Sequence, residues 1–418
     1  MKIQDQTIEQ GTYRPLWQHP WKYFESFIIS FSILITGVAI ETITGGRDLS
    51  PIGMPYNIYI AFAFVFLLIF VHFNYRDYAV VKWLSSIPAA ISAIALFSLL
   101  VLLLGFIPQD QLHTRVILKL TGLSHIKTSW PFLLTQVYFL TVLGMVTIRR
   151  IIPFKGRNIG FFLNHCGLWI ILVAGCLGSG DLKRLNISLL EKEQGSNIGV
   201  SVQGTMYKLP FTLKLIEFKI DEYNPKLALI NAKTGQFKTG KDKTLPVAEK
   251  GAKTKINDWD IEVTDYLPQA IIRDSMLQSS DDRGNYPAAY IKAIRKTSHD
   301  TVKGWISTGS YLQEPVFLML KEDNVLVLTT PEARKYSSRI EAKDDEQHTD
   351  TITLEVNKPL HIKGWMIYQV DYDRSKGKWS SLSVLEAVND PWLPVIYSGI
   401  FLLLAGAVYL FWIGRGKK

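Results

Sequence analysis

The chain has 418 residues, 48% of them hydrophobic and 20% charged, with a mean hydropathy of +0.12, which excludes a disordered, fibrous or disulfide-stapled chain and argues for membrane segments. Its formal net charge of +9 invites a nucleic-acid partner, but between Asp181 and Asp390 there are 30 Lys and Arg against 30 Asp and Glu, so the surplus lies entirely elsewhere. Cys166 and Cys176 both sit inside one apolar run with no CxxC spacing, which excludes a disulfide framework and a soluble zinc site.

In chain order, apolar runs near 24–43, 57–73, 81–106, 131–149, 159–178 and 393–413 each approach the roughly 20 residues that cross a bilayer. The first begins at Phe24 and ends in Ile40-Glu41-Thr42 without a small-x-small cleavage site, so it reads as a retained signal anchor. With the N-terminus cytoplasmic, that side holds twelve bases and the short outer loops hold four, Arg47, Arg115, Lys119 and Lys127. The charge surplus is thus a topology signal, and no nucleic-acid partner is implied. The expected architecture is a six-span α-helical bundle with a large β-rich extracytoplasmic domain inserted before the last span: residues 1–180 with five spans, 181–390 outside, and 391–418 as last span and cytoplasmic tail.

The 181–390 stretch has strand periodicity. Phe211, Leu213 and Leu215, then Phe218 and Ile220, alternate with polar residues, and Val316–Leu320 and Val325–Leu328 flank the turn 321–324. Charged segments at 233–243, 277–285 and 341–350 read as loops.

The strongest site signal is a histidine within a span, because an ionisable group in hydrocarbon is costly and is kept for a partner or a ligand. His165 lies about 9 Å inside the fifth run. At 100° per residue it shares a helix side with Phe161, Phe162, Leu168, Trp169, Leu172 and Cys176, while Gly160, Gly167, Ala174 and Gly178 form an opposite, small stripe suited to close helix packing. A neutral imidazole framed by aromatics suits an axial haem ligand; from position alone, a hydrogen bond to a neighbouring helix outweighs ligation. His72, at the cytoplasmic end of the second run, is close to the same depth and could complete an internal bis-histidine haem, although a boundary histidine is ordinarily solvated. His113, His125, His299, His348 and His361 lack metal-ligand spacing and read as surface or structural residues. Trp21, Trp130, Trp392 and Trp412 mark span ends as an interfacial belt. No hydrolase or nucleotide-binding motif occurs where it would matter.

Several stretches resemble the ResB/CcsB family, a membrane component of System II cytochrome c maturation. They are Leu84-Ser-Ser-Ile-Pro-Ala-Ala-Ile through Leu103-Leu-Gly-Phe-Ile-Pro-Gln109, His165-Cys-Gly-Leu-Trp-Ile-Ile-Leu-Val-Ala-Gly175, Leu209-Pro-Phe-Thr-Leu through Phe218-Lys-Ile-Asp-Glu-Tyr223, Val356-Asn-Lys-Pro-Leu-His-Ile-Lys-Gly-Trp-Met-Ile-Tyr-Gln369, and the last span after Asp390-Pro-Trp-Leu-Pro394. Coverage runs from about Tyr78 to the C-terminus. The resemblance implies a protein of the bacterial cytoplasmic membrane that works with a CcsA-type partner to carry haem b to the CxxCH thiols of apocytochrome c. His165 would be one axial ligand of a haem shared with the partner, with Phe161, Phe162, Leu168 and Trp169 lining it. The chain lacks the Trp-rich haem-handling motif and the external histidine pair of the CcsA half, so it would be a non-catalytic or incomplete part of a holocytochrome c synthase. A thiol reductant is a further candidate partner. The spans at 24–43 and 57–73 exceed the family's four-span core. The alternatives are a b-type electron-transfer subunit using His72 and His165, and a haem-free membrane-anchored binding module.

Overall fold

The computed structural model describes residues 15–47, 49–109, 115–237, 247–273, 276–321, 323–344 and 348–415. Two compact units emerge, one formed by Met1–Leu182 with Asp390–Lys418 and one by Lys183–Asn389.

The first unit is helical: α1 (Tyr23–Ile43), α2 (Tyr56–Tyr75), α3 (Ala79–Leu84), α4 (Ile87–Phe106), α5 (Val116–Leu120), α6 (Trp130–Ile151), α7 (Ile159–Leu177) and α8 (Leu393–Arg415). Six of these, all but α3 and α5, are long and apolar enough to cross a membrane. The apolar run at 81–106 is not one helix, as expected, but two. Pro88 has no N–H to give and its ring opposes the carbonyl four residues back, so the chain turns at Ser85-Ser86 and Ser86 caps α4 by accepting from the Ala89 N–H at 3.5 Å. Ser129 caps α6 in the same way, accepting from the Phe132 N–H at 3.4 Å. α6 is the hub: Tyr138, Phe139, Val142 and Leu143 are buried with Trp83 of α3 and Ala89 and Ala93 of α4.

The first two spans are built into this bundle. On α1, Ser26 is fully buried and accepts from Trp83 Nε1 at 2.8 Å, and at Gly37 a Cβ would lie 2.5 Å from Pro131 Cα, so only glycine lets α1 approach α6 this closely. Glu41, also fully buried, ties the C-terminal end of α1 to the start of α6 and the segment before it: Oε1 meets His125 Nε2 at 2.9 Å and Oε2 accepts from the Trp130 N–H at 2.7 Å, while His125 Nδ1 is 3.2 Å from Ser124 Oγ. His125 is therefore structural and not at the surface. A second network uses Asp181, which accepts from the Met54 N–H at 2.7 Å, Asn57 Nδ2 at 2.6 Å and Trp392 Nε1 at 2.6 Å, joining α2, the end of α7 and the start of α8. Trp392 is consequently buried, in contrast to its expected place in an interfacial belt, whereas Trp412 is exposed.

Removal of the Glu41 carboxylate leaves buried donors with no acceptor, and each such loss costs about 1–3 kcal/mol. Glu41→Leu is expected to lower stability by about 2–4 kcal/mol and Glu41→Gln, which keeps an acceptor oxygen, by less than half as much. Thermal unfolding of the detergent-solubilised variants measures both.

The second unit is all β: β1 (Lys183–Leu190), β2 (Ser196–Val200), β3 (Met206–Glu222), β4 (Leu227–Asn231), β5 (Lys253–Ile256), β6 (Trp259–Arg273), β7 (Met276–Ser279), β8 (Tyr286–Arg295), β9 (Thr301–Ser307), β10 (Leu318–Met319), β11 (Asn324–Leu328), β12 (Ala333–Asp344), β13 (Thr349–Glu355), β14 (Leu360–Ile362), β15 (Trp365–Tyr372) and β16 (Leu382–Asn389). An antiparallel sheet runs β13-β12-β3-β2-β1-β16-β15-β14, a second β5-β6-β8-β9 with β7 beside β6, and a third β10-β11-β4.

The inward residues of β3 are those of the sequence pattern, Phe211, Leu213, Leu215, Phe218 and Ile220, packed with Ile187, Ile340, Ile367 and Leu385. The step from Leu215 to Phe218 that breaks strict alternation is a β-bulge, where consecutive Arg339 and Ile340 of β12 face Glu217 and Leu215. A second core gathers Leu227, Trp259, Ile261, Ile291, Ile306 and Leu326.

Two segments expected as loops are partly strands. Residues 276–279 form β7, and 341–344 and 349–350 extend the β12–β13 hairpin. Of 233–243, residues 238–243 lie outside the described residues.

Candidate functional site

Glycine spacing fixes the helix that carries His165. At Gly167 a Cβ would stand 2.6 Å from both Gly399 O and Leu403 N, at Gly406 it would come within 2.9 Å of Asn164 Cα, and at Gly160 it would meet Tyr409. The small stripe of α7 is therefore filled by α8 of the same chain, and Asn164 Nδ2 donates to Leu403 O at 3.4 Å across the seam. The sequence assigned that stripe to close packing but did not say on which helix. It is not a surface left for a partner.

His165 stands off this seam, half-buried. Its Nδ1 lies 3.0 Å from the Phe161 carbonyl oxygen one turn earlier. A carbonyl only accepts, so Nδ1 carries the proton and Nε2 keeps its lone pair. The Phe161 ring stacks on the imidazole at 3.7 Å and 24°, and the Arg150 guanidinium, from the end of α6, sits 4.3 Å from the centre of the Phe161 ring. Among the described residues no ion pair involves Arg150, whereas Arg149 Nη1 is spent on Lys82 O, Ser85 O and Ser85 Oγ at 3.4, 3.3 and 3.0 Å.

The other expected lining residues are placed differently. Leu168 and Trp169 pack into the core around Tyr138 and Phe139. Trp169 Nε1 donates to Leu140 O at 3.1 Å and its ring stacks on Phe64 of α2 at 6.0 Å, which gives the second span its seat on α7. Phe162 is half-buried.

His72 does not reach water as expected: it is only 6% exposed. The end of α2 is covered because Leu68 and Val71 pack with Val81, Met145 and Ile148 of the neighbouring helices, and the His72 ring meets Phe73 edge-on at 5.7 Å. His299, His348 and His361 are exposed, and His113 lies outside the described residues. Among the described residues no cluster of three or more His, Cys, Asp or Glu could hold a metal ion. A single imidazole with Nδ1 anchored and Nε2 free, beside a flat aromatic ring and a guanidinium, fits one axial position of a haem and a nearby carboxylate.

Residues 295–387 match the ResB-like family. The match runs from the end of β8 through β16 and includes the quoted Val356–Gln369 stretch, which supports the ResB/CcsB resemblance and fits a role in cytochrome c biogenesis. No curated protein matches the chain.

Proposed function

We propose that this chain is the ResB-type subunit of a System II cytochrome c maturation complex, which with a CcsA-type partner carries haem b across the bacterial cytoplasmic membrane for attachment to the CxxCH of apocytochrome c. The carrying observation is His165. Its Nδ1–H bond to Phe161 O fixes the ring and its tautomer, and Nε2 is left as a ligand on a half-buried face. In this reading the partner supplies the second axial ligand, and the chain holds haem without performing the ligation. Phe161 keeps water from one side of the imidazole, and Arg150 offers its charge to a haem carboxylate.

The base asymmetry supports the orientation of this reading, with both termini in the cytoplasm and the β-rich unit on the periplasmic face. A thiol reductant that keeps the CxxCH cysteines reduced is a further partner in this scheme.

The test is the absorbance spectrum of the full chain purified alone and after co-expression with a CcsA-type protein. A haem Soret band that strengthens in the complex is expected. A colourless complex would contradict haem carriage and leave the haem-free binding module, and a full bis-histidine spectrum from the chain alone would favour the electron-transfer reading.

A further inference from the structure

The β-rich unit contains a cleft of about 740 Å³ lined by the end of β3 and the segment after it, Ile216 to Pro225, and by Tyr266, Arg283 and Trp379. Strand β3 is longer than one of its two neighbours. β12 pairs with it from Phe211 to Glu222, but β2 pairs only as far as Leu213. From Lys214 to Glu222 the β2 side of β3 has no strand partner among the described residues.

The direction of the main-chain groups follows from three hydrogen bonds. Tyr223 N–H donates to Glu332 O at 2.9 Å and Lys219 O accepts from Ser337 Oγ at 3.5 Å, so the odd-numbered residues turn toward β12. Phe218 N–H instead donates to the Glu191 carboxylate at 2.9 Å, on the open side. By the two-residue period of a strand, Ile220 and Glu222 face the same way, giving a row of backbone donors and acceptors repeated about every 7 Å over about 13 Å. Glu191 occupies the place that a strand carbonyl would take at Phe218.

Hydrogen bonds link the residues that line the cleft. Arg283 Nη2 reaches Trp379 O at 3.3 Å and Glu191 Oε2 at 3.4 Å, and Trp379 Nε1 donates to Asn285 O at 3.0 Å. Lys378 Nζ lies 3.6 Å from Glu222 at the end of the row. Burial raises the Glu222 carboxyl and pushes the Tyr266 hydroxyl up to about 12, so Tyr266 stays a neutral hydrogen-bonding group over the accessible pH range. Acidic and basic side chains line the cleft in equal numbers, which selects for neither an anion nor a cation. Beyond Phe218, whose N–H is taken by Glu191, the backbone of β3 on this side has no strand partner among the described residues, and the chemistry that fits an open strand edge is another backbone.

We propose that this cleft binds an extended polypeptide as an added strand along Phe218–Glu222 of β3. Resting on the function proposed above, the segment is the unfolded stretch of apocytochrome c around CxxCH, which has to be extended for its cysteines to be reached.

The test uses the full chain in detergent and a short, reduced synthetic peptide with a CxxCH sequence, together with two versions N-methylated at every second residue in opposite phases. The unmodified peptide is expected to slow hydrogen exchange at Ile220 and Glu222 and to change Trp379 fluorescence. One methylation phase should weaken binding at least tenfold and the other should leave it within about twofold. Failure of the unmodified peptide to bind, equal binding by all three peptides, or protection that falls outside 218–222 would each overturn the proposal. The same titration on His165→Gly should be unchanged, so a failure of the haem reading and a failure of the strand-addition reading are separately visible.

Discussion

Gly167→Leu is expected to separate α7 from α8 and to lose the folded protein from detergent extracts. A leucine side chain at this point begins with a Cβ only 2.6 Å from Gly399 O and Leu403 N. Both are backbone atoms of a helix and cannot rotate away, so the helices would have to part along a seam that also contains Gly160 and Gly406. Overpacking a rigid contact typically costs about 1–3 kcal/mol, and a backbone clash in a glycine seam belongs at or above the upper end. The internal control is Gly175→Leu on the same helix, where nothing lies within 4 Å of the added Cβ and the residue is exposed; it should change stability by less than about 0.5 kcal/mol. Size-exclusion profiles and thermal unfolding of the two variants distinguish them. Equal stability would mean that α7 and α8 do not meet through this stripe.

The seam illustrates what the sequence makes legible. The spacing of Gly160, Gly167, Ala174 and Gly178 is visible as one side of a helix, because helical period is a local property. Which helix fills it is not, since α8 is separated from α7 by the whole β-rich unit. Span positions are legible for the same local reason, yet the break between Leu84 and Ile87 is concealed in a continuous apolar run and shows only through the Ser86 cap and Pro88. The β3 pattern, including the skipped beat at its bulge, is readable directly from Phe211 to Ile220.

Polar pairings across the chain are the opposite case. Glu41 and His125 are 84 residues apart, and Asp181 and Trp392 211 apart. Each residue taken singly reads as a charge or a ring near a membrane boundary, and only the fold shows that they satisfy one another and anchor α1, α2 and α8. The burial of His72 is not legible in the sequence, because burial at a helix end depends on what packs beside it, here Val81, Met145 and Ile148. At His165 the aromatic side was legible, but its use was divided: Phe161 stays with the imidazole, while Leu168 and Trp169 are committed to the core.

The central claim is that the Nε2 of His165 is a haem ligand, and the most direct measurement is the absorbance spectrum of the assembled complex carrying His165→Gly, recorded without and with added imidazole. Glycine removes the ring and leaves a space of its shape next to Phe161, and the helix loses about 1 kcal/mol of propensity, too little to unfold a packed span. The haem band should fall by at least tenfold, and imidazole should partly restore it by occupying the vacated coordination position. His72→Ala, which removes a ring that is already enclosed by the bundle, should leave the band in place. Full haem content and full cytochrome c maturation after His165→Gly would contradict the assignment.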